Sequence, residues 1–301
     1  MSKILVTGGA GFIPSHLVDS LLDEDHEVTS VDNFVTGKKE NLSKRQNHTF
    51  IKADVNNLNE IEPIIKKGCF EYIFHYAALV GVHRTINNPI GVLNDLSGLE
   101  NIFKLSKETN VKKIFFSSSS EVYGEPVELP QREYLTPLNS RLPYAVIKNV
   151  GECFCKSYKQ EHNLDYTIFR FFNTYGLRQS RDFVISKFIQ LAKENKDITV
   201  YGTGLQTRTF CYIDDHIEAT TNAFKNNSYN NEIVNIGNSL ETTILELAET
   251  IIRVLNSKSK IIHLDPLEEG DMTRRQPDIE RMKSLLNRNF TSLEEGIKKI
   301  I

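Results

Sequence analysis

A tight glycine turn, set between an apolar run and a helical stretch, restricts the fold of this chain more than any other feature. Lys3-Ile-Leu-Val6 reads as a buried strand, Thr7-Gly8-Gly-Ala-Gly11-Phe12-Ile13-Pro14 makes the turn, and Leu17 to Leu22 continues as a helix. A strand that enters a helix this way aims free backbone N–H groups at one point, where the helix dipole adds positive charge. Gly8 permits the sharp turn and Gly11 permits close backbone approach, so the N–H groups of Gly11, Phe12 and Ile13 are expected to hold a pyrophosphate. Glycine turns alone are common. The position after a strand and before a helix gives this one its meaning.

Glu27-Val-Thr-Ser-Val-Asp32 reads as a second strand that ends in an acid 24 residues after Gly8, with Asn33 beside it. A carboxylate there can bond both hydroxyls of an adenosine ribose and repels a 2′-phosphate, which favours NAD over NADP. Asp54-Val55 follows a third strand-like run, and Tyr72-Ile-Phe-His-Tyr-Ala77-Ala78 supplies a fourth whose alanines admit a cofactor closely. Runs near 4–6, 27–31, 49–52, 71–75, 112–117 and 165–171 alternate with helical stretches. That alternation predicts an α/β fold, a Rossmann-type doubly wound parallel sheet covered on both faces. Beyond about residue 176 the pattern loosens into a smaller mixed C-terminal lobe for substrate. Residues 1–175, with a return near 230–240, are assigned to the NAD-binding domain; 176–229 and 241–301 are assigned to the second lobe, expected to pack over a cleft.

The chain has 301 residues and a net charge of -3, which gives no electrostatic reason to expect nucleic acid or an anionic membrane as partner. With no membrane-spanning run and no secretory leader, the expected compartment is the cytoplasm. Cys69, Cys153, Cys155 and Cys211 fit neither a zinc spacing nor a disulfide framework, so reduced thiols and no metal are expected.

Two motifs carry chemistry. Tyr144-Ala-Val-Ile-Lys148 sets a phenol and an ammonium four apart, on one face of a helix. A free phenol titrates near 10 and is a poor base at neutral pH, but a nearby ammonium and a cationic nicotinamide favour its phenolate. Ile114-Phe-Phe-Ser117-Ser-Ser119-Ser120-Glu121-Val-Tyr123-Gly124 ends an apolar strand in a hydroxyl cluster, where an α/β sheet presents ligand contacts. Ser119 is placed to bond a substrate hydroxyl and relay its proton to Tyr144.

With these motifs the chain resembles the extended short-chain dehydrogenase/reductases that act on nucleotide sugars, nearly from end to end. Further matching stretches are Arg170-Phe-Phe-Asn173-Thr-Tyr-Gly176, Gly204-Leu-Gln-Thr-Arg208-Thr-Phe-Cys-Tyr-Ile-Asp214-Asp215 and Gly270-Asp271-Met-Thr-Arg274-Arg275-Gln-Pro-Asp278. The resemblance implies that Asn173 and Arg208 contact the nucleotide diphosphate, and that Asp271, Arg274 and Arg275 lie in a late nucleotide-binding stretch. It also implies that Tyr144 removes the proton of the sugar 4-hydroxyl while hydride passes from C4 to NAD. Lys148 then holds the nicotinamide ribose, and Ser119 holds the 4-oxygen. Family members often form homodimers through two helices, here about 92–109 and 143–161.

From the resulting 4-keto sugar, epimerases, decarboxylases and 4,6-dehydratases diverge. The dehydratases typically carry an Asp-Glu pair where this chain has Ser120-Glu121, so that chemistry is disfavoured. Ser-Glu-Val-Tyr-Gly and Arg-Arg-Gln-Pro-Asp resemble UDP-glucuronate decarboxylases, which however usually carry Asp-Glu-Gly where this chain has Ala-Val-Ile. Val80-Gly-Val-His83-Arg84-Thr-Ile-Asn-Asn-Pro89 is closer to some UDP-hexosamine 4-epimerases. The expected activity is therefore a nucleotide-sugar 4-epimerase on a UDP-hexose or UDP-hexuronate. UDP-glucuronate decarboxylase is the alternative, and a C4 dehydrogenase or a non-catalytic NAD-binding regulator stands further off. Arg178 would meet a substrate carboxylate if the sugar is a uronate, with His83 and Arg84 as alternative partners. Two positions depart from the family: Pro14 replaces the third glycine of the turn, and Asp95 stands where asparagine is usual.

Overall fold

The computed structural model describes residues 1–81, 85, 87–265 and 274–301. Seven strands form the central sheet: β1 (Lys3–Thr7), β2 (Glu27–Asp32), β3 (His48–Lys52), β4 (Tyr72–His75), β5 (Lys113–Ser119), β6 (Asp165–Phe171) and β7 (Glu232–Ile236). Their order across the sheet is β7-β6-β5-β4-β1-β2-β3. The pairs β1–β2, β1–β4, β2–β3 and β4–β5 are parallel, with Thr7 opposite both Val31 and His75. This is the Rossmann order, with its switch point between β1 and β4, where successive connections leave toward opposite faces. Parallel strands buried on both faces need apolar side chains in both directions. Ile4, Leu5, Val6, Ile73, Phe74, Ile114, Phe115 and Phe116 supply them, all essentially inaccessible.

Four helices matter for the site: α1 (Phe12–Asp23), α2 (Leu58–Gly68), α3 (Asp95–Glu108) and α4 (Pro143–His162). On one face Ile61 and Ile65 of α2, Leu99, Ile102 and Phe103 of α3, and Ile147 and Cys155 of α4 pack with Leu5, Ile73, Ile114 and Phe116 in one core cluster. On the other face Phe74 stacks on Phe115 with ring centres 4.4 Å apart, and Phe224 meets both rings edge-on. The strand ranges follow the sequence expectation closely because each strand is a short β-branched or aromatic run bounded by turn residues.

The chain divides into two compact units. The first holds residues 1–122, 138–170 and 220–234, and the second 123–137, 171–219 and 235–301. The second unit carries three two-stranded ribbons. Thr174–Tyr175 pairs with Cys211–Tyr212, Thr207–Thr209 runs antiparallel to Glu241–Thr243, and Ile198–Tyr201 pairs with Ile261–Leu264. Its helix Ile244–Leu255 begins at a capping box in which Thr243 and Glu246 satisfy each other's backbone N–H groups. Among the described residues no helix is long and apolar enough to cross a membrane.

Candidate active site

The glycine turn is held from below. The N–H groups of Gly8 and Gly9 both donate to the Val31 carbonyl, and the Gly11 N–H donates back to the Gly8 carbonyl. Gly8 adopts φ +74°, in the left-handed region, and a Cβ there would lie 3.0 Å from the backbone of Ala77. Only glycine meets both conditions without strain. Thr7 ties the same two segments together, because its hydroxyl oxygen accepts from the N–H groups of Tyr76 and Ala77. Gly11 caps α1, and Phe12 and Ile13 form its first two helical positions. Their N–H groups belong to the four at a helix start that have no intrahelical acceptor. Pro14 lies in the same turn of helix, where it lacks an N–H that would have gone unused.

Asp32 is buried at the end of β2. Its carboxylate accepts from the Ala10 N–H at 3.1 Å and the Phe34 N–H at 2.7 Å. Burial raises its pKa, and these two backbone bonds work against that rise. A carboxylate offers about four acceptor positions, so two remain for a ribose diol. A Cβ on Gly37 would come within 2.7 Å of both oxygens, so glycine there leaves the carboxylate open. Asn33 donates to Asp54 at 3.1 Å, which joins the ends of β2 and β3, and Val55 accepts from Asn101 of α3. Ala77 and Ala78 follow β4 after Tyr76. Gly8, Gly11, Phe12, Ile13, Asp32, Asn33, Asp54, Val55, Ala77 and Ala78 thus lie at or just beyond the carboxyl ends of β1 to β4. The open Asp32 carboxylate, the glycine turn and the free helix N–H groups together fit a dinucleotide.

The second part of the site lies at the end of β5. The Lys148 ammonium donates to the Ser117 carbonyl at 2.7 Å and to the Ser117 hydroxyl at 3.3 Å. It sits 5.8 Å from the centre of the Tyr144 ring and 5.2 Å from that of Phe116. Burial lowers its pKa to about 8, against an opposing pull from the Asp95 carboxylate. The ammonium therefore stays charged at neutral pH. Tyr144 is half-buried one turn above it, and Ser119 and Ser120 are buried at the strand end. The Ser119 hydroxyl accepts from the Glu121 N–H at 3.2 Å, and Glu121 lies in the single helical turn Ser120–Tyr123.

The residues expected to meet substrate phosphates belong to the second unit. The Asn173 carbonyl accepts from the Cys211 N–H at 2.8 Å, three residues past Arg208. Arg208 lies opposite Thr242 in the ribbon and donates to the Thr207 carbonyl at 2.7 Å. Arg274 forks the Glu241 carboxylate with bonds of 2.9 and 2.6 Å, so a phosphate at this guanidinium competes with Glu241. Asn173, Arg208 and Arg274 therefore share one region, and Arg275 follows in sequence. Arg178 takes a left-handed conformation at φ 68° in the turn after Gly176. His83, Arg84 and Asp271 lie outside the described residues.

Sequence reasoning missed part of this scaffold. The Thr7 hydroxyl also bonds His75 Nδ1 at 2.9 Å, and burial together with the Lys148 charge lowers the His75 pKa to about 3. His75 is thus a neutral brace between β1 and β4; nothing in its local sequence marks it. Asp95, noted as a departure, accepts from the Leu79 N–H at 2.8 Å and from Asn56 at 3.2 Å, which ties the start of α3 to the loops after β3 and β4.

Fold and site define an NAD-dependent Rossmann enzyme with a tyrosine–lysine pair at the end of its fifth strand. The chain belongs to the NAD dependent epimerase/dehydratase family, whose model matches residues 4–237. UDP-glucuronic acid decarboxylase 1 of Danio rerio is 37% identical over 310 residues, 99% of this chain and 72% of that protein. Among solved structures, a UDP-glucose 4-epimerase with UDP-glucose from Thermotoga maritima superposes with a TM-score of 0.92 at 30% identity, covering 99% of this chain and 96% of that one. A UDP-N-acetylglucosamine 4-epimerase from Methanobrevibacter ruminantium, in complex with UDP-N-acetylmuramic acid, gives 0.89 at 33% identity, with 99% and 97% covered. NAD is the cofactor of the family, and solved neighbours include NAD complexes.

Proposed function

We propose that this chain is a nucleotide-sugar 4-epimerase that works through a transient 4-keto sugar, with Tyr144 as the base. The observation that carries this reading is the Lys148 ammonium, buried and fixed to Ser117 beside the Tyr144 ring. When bound, NAD supplies the acceptor and donor of hydride. The N–H groups of Phe12 and Ile13 hold its pyrophosphate, with Gly11, whose own N–H is taken by the Gly8 carbonyl, allowing the close approach; Asp32 holds its adenosine ribose and Lys148 its nicotinamide ribose. The Lys148 charge favours the Tyr144 phenolate, which takes the proton from the sugar 4-oxygen and later returns it. Ser119 holds that oxygen throughout. Asn173, Arg178, Arg208, Arg274 and Arg275 contact the nucleotide diphosphate or the sugar.

Epimerisation is preferred because the helix turn between Tyr144 and Lys148 is apolar, Ala145-Val146-Ile147, with Ala145 and Ile147 buried. The 4-epimerases among the solved neighbours support the same choice. Decarboxylation of a UDP-uronate is the second reading, favoured by Glu121 next to the Ser119 hydroxyl and by the decarboxylase relatives. Proton NMR of the sugar products, after incubation with NAD and UDP-glucuronate, UDP-glucose or UDP-N-acetylglucosamine in turn, tests the choice. A C4 epimer from any of them upholds the proposal. A UDP-pentose or its 4-keto form from UDP-glucuronate overturns it in favour of the decarboxylase.

The exposed Leu96 of α3 and Val146 of α4 support a homodimer through these helices. The four free cysteines support a reducing compartment, the cytoplasm.

A further inference from the structure

Among the described residues, the largest side chain buried almost completely is that of Arg170, on β6. Its guanidinium forks the carboxylate of Glu152 on α4, Nε donating to Oε1 at 2.8 Å and Nη2 to Oε2 at 2.7 Å. Glu152 is itself fully buried. The Ser118 hydroxyl of β5 donates to the same Oε1 at 2.7 Å. Three elements, β5, β6 and α4, therefore meet at one carboxylate.

This carboxylate stands in register with the reacting groups. Tyr144, Lys148 and Glu152 are spaced by four along α4 and share one face of it. On the strand, Ser117, Ser118 and Ser119 divide their work. Ser117 takes the Lys148 ammonium, Ser118 takes Glu152, and Ser119 lies at the end where the sugar oxygen is expected. A second contact, next to the first, keeps the helix close. A Cβ on Gly151 would lie 2.2 Å from Cζ of Phe116, so glycine there lets α4 lie directly on that ring.

A buried ion pair is poor evidence for stability, because desolvating both charges offsets most of their attraction. Its directional bonds instead fix relative position. Sliding α4 along β5 by even one residue would break two Arg–carboxylate bonds and the Ser118 bond together. We propose that Glu152, Arg170 and Ser118 are positioning residues that set the height of Tyr144 and Lys148 against Ser119. This rests on the reading of Tyr144 as the base.

The experiment compares Ser118→Ala, the paired replacement Glu152→Leu with Arg170→Met, and Tyr144→Phe in the NAD-loaded enzyme. Activity is followed on whichever UDP-sugar the wild type turns over, together with NAD affinity and thermal midpoint. Ser118→Ala is expected to lower kcat about 10- to 100-fold, the scale of a roughly 1 Å misplacement of reacting groups. KM and NAD affinity stay near wild type, and the thermal midpoint falls by only a few degrees, the loss of one bond to a buried carboxylate. The paired variant, which removes both charges, is expected to fold and to show the same loss in kcat. Wild-type kcat in both, with Tyr144→Phe inactive, overturns the positioning role and leaves the base intact. A thermal midpoint that falls while kcat per folded molecule holds overturns it equally, as a purely structural role. An active Tyr144→Phe refutes the underlying reading of the base instead.

Discussion

Replacing Lys148 by methionine should abolish turnover and, at the same time, change how stability depends on pH. Methionine keeps the long unbranched stem and removes only the charge. In the fold the Lys148 ammonium is buried and titrates at about 8 rather than the usual 10.5. At about 1.4 kcal/mol for each pH unit, that gap is worth about 3 kcal/mol against folding at neutral pH. The unfolded chain, with the higher pKa, holds the extra proton between about 8 and 10.5. The penalty is therefore fully present below about 8 and disappears as pH rises through that window. Methionine removes it, but it leaves the Ser117 carbonyl without its donor, which costs about 1–3 kcal/mol. At about pH 7 the variant should be equal to the wild type or up to about 2 kcal/mol more stable. The clean signal is the difference between the two proteins, because titrating groups that do not feel the Lys148 charge cancel in it. From about pH 7 to about pH 9.5 the wild type should gain about 2 kcal/mol on the variant in urea unfolding of NAD-free protein. A difference that does not change with pH would mean that Lys148 is not a desolvated ammonium, and would refute the argument. The loss of turnover is measured on the same preparations.

Two further outcomes follow from the cofactor turn. Gly8→Ala puts a Cβ at φ +74° and 3.0 Å from the Ala77 backbone, so it should cost about 1–3 kcal/mol and weaken NAD binding, read by thermal unfolding and NAD titration. Pro14→Gly should tighten NAD binding by letting α1 sit closer, at a cost of about 1 kcal/mol in stability from the freer chain; unchanged or weaker affinity in calorimetry would rule this out.

Most of the fold was legible because its signals are local. The glycine turn, the acid ending the second strand and the alternation of apolar runs with helical stretches each lie within a dozen residues, and the strands formed where those runs lie. The pair proposed to act on the sugar could be picked out for the same reason: Tyr144 and Lys148 are one helical turn apart, whatever the helix packs on. The arginines were legible only as residue types. That Arg274 is held by Glu241, 33 residues away, depends on a chain reversal that no local pattern encodes.

The sequence by itself determined the cofactor turn, the succession of strands and helices along the chain and the helical face that Tyr144 and Lys148 share, since these depend on backbone conformation and periodicity. Tertiary structure alone decided the environment of the chemistry. The depressed pKa of Lys148 arises from its burial where α4 packs on β5, against an opposing pull from the Asp95 carboxylate, and the bond to Ser117 exists only where α4 crosses the end of β5. The Glu152–Arg170–Ser118 junction joins residues 18 and 34 positions apart in a region closed to water. Desolvation and long-range pairing are properties of packed surfaces, and they come into being only when the strands and helices close on one another.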